Sequence, residues 1–150
     1  MKLEQELKMT KFKNAEHRAG LNVVFTGAWI SDKTSCLLKP FGISEHQFNV
    51  LRIVRGQKGQ PINMIDIQDR MIYRTSNTTR MVEKLRIKGY LLRQECPDNR
   101  RKVEIFITED GLKLLDSIEP ILINNSEKMF KNLSTEESIQ LGNLLDQLRG

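Results

Sequence analysis

Residues 75–80 read Thr75-Ser76-Asn77-Thr78-Thr79-Arg80, and residues 99–102 read Asn99-Arg100-Arg101-Lys102. The first run offers short hydroxyl and amide groups beside one guanidinium; the second ends in three consecutive cations. Such groups suit a polyanion with readable edges. Arginine can meet guanine O6 and N7 or a phosphate, asparagine can serve an adenine edge, and small hydroxyls let a helix approach either. From Arg70 to Lys102 ten basic residues stand against three acids, a surplus of seven, while the whole chain carries 24 basic and 19 acidic residues, a net +5. The other 117 residues therefore sum to −2. A local positive field on a near-neutral body is the footprint of a polyanion binder.

The elements that position these groups follow from apolar spacing. Residues 2–38 read as helical, with Gly20 and Gly27 as weak points and a stripe of Leu21, Val24, Phe25, Ala28 and Trp29. Pro40-Phe41-Gly42 breaks the chain, and Ser44 to Gln47 has the form of a capping box opening a helix with Phe48, Leu51, Ile53 and Val54. Pro61-Ile62 is a short extended piece, after which Asn63 caps a short helix. Thr75 or Ser76 caps the next, which ends at Gly89. On it Thr78, Met81, Val82 and Leu85 share the core face, while Ser76, Arg80 and Glu83 point outward with Asn77 and Thr79 on the flanks. Glu83 must meet a cytosine amine or turn aside to Arg80 or Lys84.

Two strand-like pieces, 90–94 and 103–107, flank a charged turn at 96–102. Thr108 then caps a long helix that Pro120 should kink or interrupt. A last helix, opened by a capping box at Ser134, carries Leu141, Leu144, Leu145 and Leu148. Helix, helix, recognition helix and hairpin, in that order, make a winged helix-turn-helix: a mainly α fold with a small β-hairpin wing. The second helix of the pair enters the major groove, and the hairpin touches the backbone beside it.

Other function classes fall away on composition. The chain is 39% hydrophobic and 29% charged, enough to bury a core and too apolar for a disordered polyelectrolyte. No run approaches the ~18 apolar residues of a membrane span, and Met1 to Glu6 lacks the apolar centre of a signal peptide, so no membrane partner is expected. Two cysteines suit a reducing, cytoplasmic setting. His17 and His46 are isolated, so neither metal nor cofactor is expected. There is no glycine-rich phosphate loop, nucleophile elbow or His-Glu-x-x-His, and the chain does not read as an enzyme.

The stretch 44–111 resembles the MarR (multiple antibiotic resistance regulator) family. The resemblance runs through Ser76 to Leu85, Lys88 to Arg93, Arg100-Arg101 and Val103, Ile105, Ile107-Thr108 with Gly111. These follow the family's recognition helix, its Gly-hydrophobic-hydrophobic-x-Arg strand and its wing ending in Leu-Thr-x-x-Gly. One departure concerns the wing, which in the family reads Asp-x-Arg with the Asp nine residues before the Thr. That register places Asn99 at the Asp and Arg101 at the Arg, while Asp98 and Arg100 match the spelling one residue early. Either the wing is one residue longer or Asn replaces Asp; Arg101 is favoured as the minor-groove residue, with Arg100 next.

The resemblance implies a homodimer on a pseudo-palindromic operator. It divides the single 1–150 domain into dimerisation helices at 1–42 and 109–150 and a winged helix-turn-helix at 43–108. The expected DNA-binding set is Thr75, Ser76, Asn77, Thr79, Arg80, Lys84, Arg93, Asn99, Arg100, Arg101 and Lys102. The expected function is a regulator of transcription, a repressor as is usual in the family, with double-stranded DNA and a second copy as partners. A small-molecule effector could sit against Trp29, Phe25 and Phe41, for which core packing is the plainer reading. Some relatives switch by cysteine oxidation; Cys96, near Arg93 and Arg101, and Cys36 are the candidates here, with ordinary thiols the plainer reading. The alternative for the whole chain is a winged-helix protein-interaction module that never reads sequence.

Overall fold

Side-chain caps and positive-φ residues decide where the helical segments begin and end. The computed structural model describes residues 2–73, 77–96 and 99–150, with the backbone alone at 96 and 99–102. Along it run α1 (Leu3–Glu6), α2 (Ala15–Leu38), a 3-10 turn (Lys39–Phe41), α3 (Glu45–Arg55), α4 (Met64–Arg70), α5 (Thr78–Ile87), β1 (Leu91–Cys96), β2 (Asn99–Ile107), α6 (Glu109–Phe130) and α7 (Thr135–Arg149). The expected class holds: mostly helical, with one antiparallel hairpin. The chain divides into two compact units, residues 1–45 and 46–150.

In the first unit the expected helix over 2–38 is broken at 7–14 rather than weakened at its glycines. Lys8 takes a left-handed φ of 51°, and Asn14 then starts α2 by accepting from the His17 N–H at 2.8 Å. Gly20 and Gly27 lie inside α2, where an added methyl group would meet nothing within 4 Å beyond the adjoining backbone of the helix and the two neighbouring residues. A mid-helix glycine costs only about 1 kcal/mol, which a 24-residue helix absorbs. The Arg18 guanidinium pairs with Glu4 at 2.9 Å and lies over the Phe12 ring, 5.9 Å from its centre. Ser31 and Ser35 both donate to the Glu45 carboxylate, at 2.9 and 3.1 Å.

In the second unit α3 buries Phe48, Val50, Leu51 and Val54, and the chain turns through Lys58 and Gly59 at φ 53° and 87°. The extended piece at Pro61-Ile62 joins the hairpin: Ile62 and Ile105 exchange backbone hydrogen bonds of 3.1 and 2.9 Å. Asn63 caps α4 by accepting from the Asp66 N–H at 2.9 Å. Ile67, Val82, Leu85, Ile105 and Leu115 are all but inaccessible to solvent. Each such burial is worth about 1.5–3 kcal/mol.

The hairpin is tighter than expected. Cys96 pairs with Asn99, and residues 100–102 belong to β2; a register shift between Glu95 and Cys96 puts them opposite a single step of β1. Proline does not interrupt α6, which runs through Pro120. The proline removes one backbone donor, but Leu115 and Ile118 are buried on either side of the carbonyl it leaves, and their burial outweighs it. At Ser134 the expected capping box is complete: Ser134 accepts from the Glu137 N–H at 3.2 Å, and Glu137 accepts from the Ser134 N–H at 2.7 Å.

Candidate nucleic-acid interface

Helix α5 shows why a reading face needs a buried one. Thr78, Val82 and Leu85 keep 2%, 1% and 0% of their surface, while Met81, expected beside them, is only half-buried. The other side leaves Asn77, Thr79, Arg80 and Lys84 exposed. Asn77 is the N-cap residue and makes no side-chain cap bond, so its amide is not spent on the helix end. Thr75 and Ser76, the expected caps, lie outside the described residues.

Glu83 turns aside, but not to Arg80 or Lys84. It is half-buried and takes Arg86, one turn on: Nη2 to Oε1 at 2.7 Å and Nε to Oε2 at 3.0 Å. That fork, helped by the Arg93 charge, holds the Glu83 carboxyl below the usual carboxylate range and raises Arg86 in turn. The acid on the cationic helix is neutralised by a neighbour on the same helix, and Arg80 and Lys84 are left to meet another partner. An i,i+3 acid–base spacing signals this pairing, and Arg80 stands at the same separation on the other side of Glu83, so spacing alone does not choose between them.

Arg93 is exposed on β1, opposite Ile105. With Glu83, Arg86, Gln94, Glu95 and Val103 it lines a shallow polar cleft between α5 and the hairpin. At Asn99, Arg100, Arg101 and Lys102 only the β2 backbone is described, so which arginine leads the wing falls outside the described side chains.

The sequence reading also missed what fixes the approach to α5. Asn49, on α3, accepts from the Ile72 N–H at 2.9 Å, and His46, one turn earlier, stacks on Tyr73 with ring centres 4.7 Å apart. His46 and Asn49, three apart on α3, were the available signal: two polar groups on one helix face aimed at the chain entering the recognition helix. Arg55, also on α3, donates to Glu119 of α6 and lies 4.0 Å from Asp116.

Among the remaining candidates, Phe25 and Trp29 on α2 and Phe41 in the 3-10 turn are half-buried. Cys36 is an exposed free thiol, and the Cys96 side chain is not described. No group of three or more His, Cys, Asp or Glu among the described residues could hold a metal ion. No helix among them is long and apolar enough to cross a membrane.

A short helix pair ending in an exposed polar recognition helix, followed by a cationic hairpin, defines a winged helix-turn-helix DNA-binding protein. The sequence pattern of the MarR family matches residues 43–103. The chain is 31% identical over 108 residues to the HTH-type transcriptional regulator MhqR of Bacillus subtilis, covering 72% of this chain and 73% of that one. It is 28% identical over 112 residues to the transcriptional repressor MprA of Escherichia coli K12, covering 75% of this chain and 64% of that one. The chain thus spans roughly two thirds to three quarters of these relatives' length. The organohalide-sensing regulator RdhR-CbdbA1625, solved with 2,4-dichlorophenol bound, superposes with a TM-score of 0.82 at 18% identity, over 91% of this chain and 80% of that one. The chain belongs to the MarR family of DNA-binding transcriptional regulators.

Proposed function

We propose that this regulator acts as a homodimer that reads a pseudo-palindromic operator and represses transcription. The observation that carries the reading is the division of α5: Thr78, Val82 and Leu85 inward, Asn77, Thr79 and Arg80 outward and unencumbered. Asn77 and Thr79 are assigned to base edges with Ser76 and Thr75 beside them. Arg80 takes guanine or phosphate, and Lys84 takes phosphate. Arg93 with Arg100, Arg101, Lys102 and Asn99 forms the wing, one arginine entering the minor groove. Two copies related by a twofold axis place their recognition helices about one DNA turn apart, and a palindromic site follows from symmetry.

Support for two copies comes from α7, which buries no residue of its own and exposes Ile139, Leu141, Leu144 and Leu148. Residues 1–42 and 109–150 are assigned to the dimer and 43–108 to DNA. The repressor assignment follows the name of the relative MprA. A small aromatic effector, of the kind named for the dichlorophenol-bound neighbour, is assigned to the half-buried aromatics Phe25, Trp29 and Phe41. Cys36 and Cys96 are the alternative oxidative input.

Selection of bound duplexes from a random pool tests the reading. The expected outcome is two inverted half-sites at a fixed spacing, with affinity falling steeply as salt rises because phosphate contacts release counterions. Recovery of no common sequence, or salt-independent binding, would instead mark a winged helix that serves as a protein-interaction module.

A further inference from the structure

The segment that ends helix α5, the end of β2 and the start of helix α6 meet at Thr108. Its hydroxyl donates to the carbonyl of Gly89 at 2.6 Å, and the same oxygen accepts from the Gly111 N–H at 3.1 Å. Its own N–H donates to the Tyr90 carbonyl at 3.1 Å. Gly89, at φ +78°, is the left-handed residue that ends the recognition helix; its N–H reaches Arg86 at 2.9 Å, and the Tyr90 N–H reaches Leu85 at 3.0 Å. One side chain therefore fastens the C-terminal end of α5 and caps the N-terminal end of α6. It does so immediately after Ile107, which pairs with Leu91 at the base of the wing.

Gly111 closes the same joint by close approach. A Cβ there would stand 2.4 Å from the Tyr90 carbonyl oxygen and 2.8 Å from Cγ1 of Ile107. The first of these is backbone and cannot swing clear. The first turn of α6 thus lies against two successive peptides, held to the Gly89 carbonyl by the hydroxyl and brought against the Tyr90 carbonyl by the missing side chain.

We infer that Thr108 and Gly111 are positioning residues: they form a rigid joint fixing the angle between α6 and the α5–hairpin reading unit, and so the separation of the reading heads in the dimer. The last step rests on the dimeric DNA-reading function proposed above. A rotation of about 10° acting over about 20 Å of helix moves its far end by about 3.5 Å, close to the rise of one base pair. A small slackening at Thr108 is therefore enough to spoil a fixed half-site spacing.

The joint is tested first without DNA. Spin labels are placed through Ile87→Cys on α5 and Asn124→Cys on α6, both exposed, with Cys36→Ser and Cys96→Ser; labelled chains are diluted with unlabelled ones so that only the within-chain distance is read. The parent is expected to give one narrow distance distribution. Thr108→Val, which keeps shape and loses the hydroxyl, is expected to broaden it, and Thr108→Ser to restore it. Gly111→Ala is expected to shift its mean, and serves alone should Thr108→Val fail to fold. A Thr108→Val distribution as narrow as the parent's, or an unmoved mean in Gly111→Ala, overturns the joint whatever the DNA result.

The second arm uses the selected duplex and the same duplex lengthened by two base pairs between half-sites. The parent is expected to prefer its own spacing by about tenfold or more, and Thr108→Val by no more than about threefold, with Thr108→Ser returning the preference. Broadened distances with an undiminished spacing preference overturn the role in setting head separation. Broadened distances in a protein whose parent binds no duplex leave the joint standing and remove the DNA-reading function instead.

Discussion

Helices α5 and α7 are both amphipathic, yet only one is finished within the chain. Helix α5 spends its apolar face on Val82 and Leu85 and presents amide, hydroxyl and guanidinium groups outward. Helix α7 opens with a complete capping box and then buries nothing; Leu144 and Leu148 keep 55% and 68% of their surface. Well-made caps do not offset an uncovered leucine stripe, since capping contributes about 1 kcal/mol and each buried leucine about two or three times as much. A face that a chain leaves apolar is a face for association, whereas a face it leaves polar above a packed core is one for recognition.

The largest expected effect breaks the proposed division at α7. Leu144→Glu combined with Leu148→Glu should give a monomer in sedimentation while far-ultraviolet dichroism of the remaining helices persists. Affinity for the selected duplex should fall by about 10²–10⁴-fold, because each half-site is then bound without its tethered twin. A double variant that stays dimeric would place the interface elsewhere. The second effect contrasts the two faces of α5. Leu85→Ala should lower unfolding stability by about 2–5 kcal/mol in a urea titration, because Leu85 is fully enclosed and the cavity closes only partly. Thr79→Ala, on the exposed face, should stay within about 0.5 kcal/mol of the parent.

These contrasts were legible in the sequence to different depths. Val82 and Leu85 stood out because helical period sorts apolar from polar without any knowledge of neighbours. Asn63, Thr108 and Ser134 were legible as caps because their hydrogen bonds lie within three residues of chain. The break at 7–14 was not, since Lys8 is a poor sign of a left-handed turn while the glycines that suggested one sit quietly inside α2. The Glu83–Arg86 fork needed a rotamer choice among three nearby cations. The contacts from Asn49 to Ile72 and from Thr108 to Gly89 needed the tertiary fold, because each joins residues 19 or more apart. Residue type marks the reading face; the parts that aim it are long-range hydrogen bonds that no local pattern encodes.

Arg80→Ala sharpens the reading-face side of the comparison. Arg80 is exposed and carries none of the core, so its loss should leave stability unchanged. Affinity should fall by about 1–3 kcal/mol, through relaxed preference at one base pair if it meets guanine, or through a salt slope shallower by about one if it meets phosphate. A titration series over several salt concentrations, on the selected site and on a scrambled one, separates the two. A stability loss with no change in affinity would move Arg80 off the interface.

The smallest effect concerns the link between the body that carries α5 and the helix that leads toward α7. Arg55 donates to Glu119 across α3 and α6, and this bond, with the nearby Arg52 charge, holds the Glu119 carboxyl below its ordinary range. A carboxyl with a depressed native pKa adds stability above its unfolded pKa of about 4.3, and the contribution is lost as pH falls through the native value. Both partners are about a third exposed, so screening limits the pair to about 0.2–1 kcal/mol. Glu119→Gln should therefore be slightly less stable than the parent near pH 7 at low salt, with the gap narrowing in high salt. The two unfolding curves should converge once the pH has fallen through the depressed native range of Glu119, where it is protonated in folded and unfolded chains alike. A gap that widened in acid would mean that the carboxylate is a burden to the folded state, and that α3 and α6 are joined by their buried faces alone.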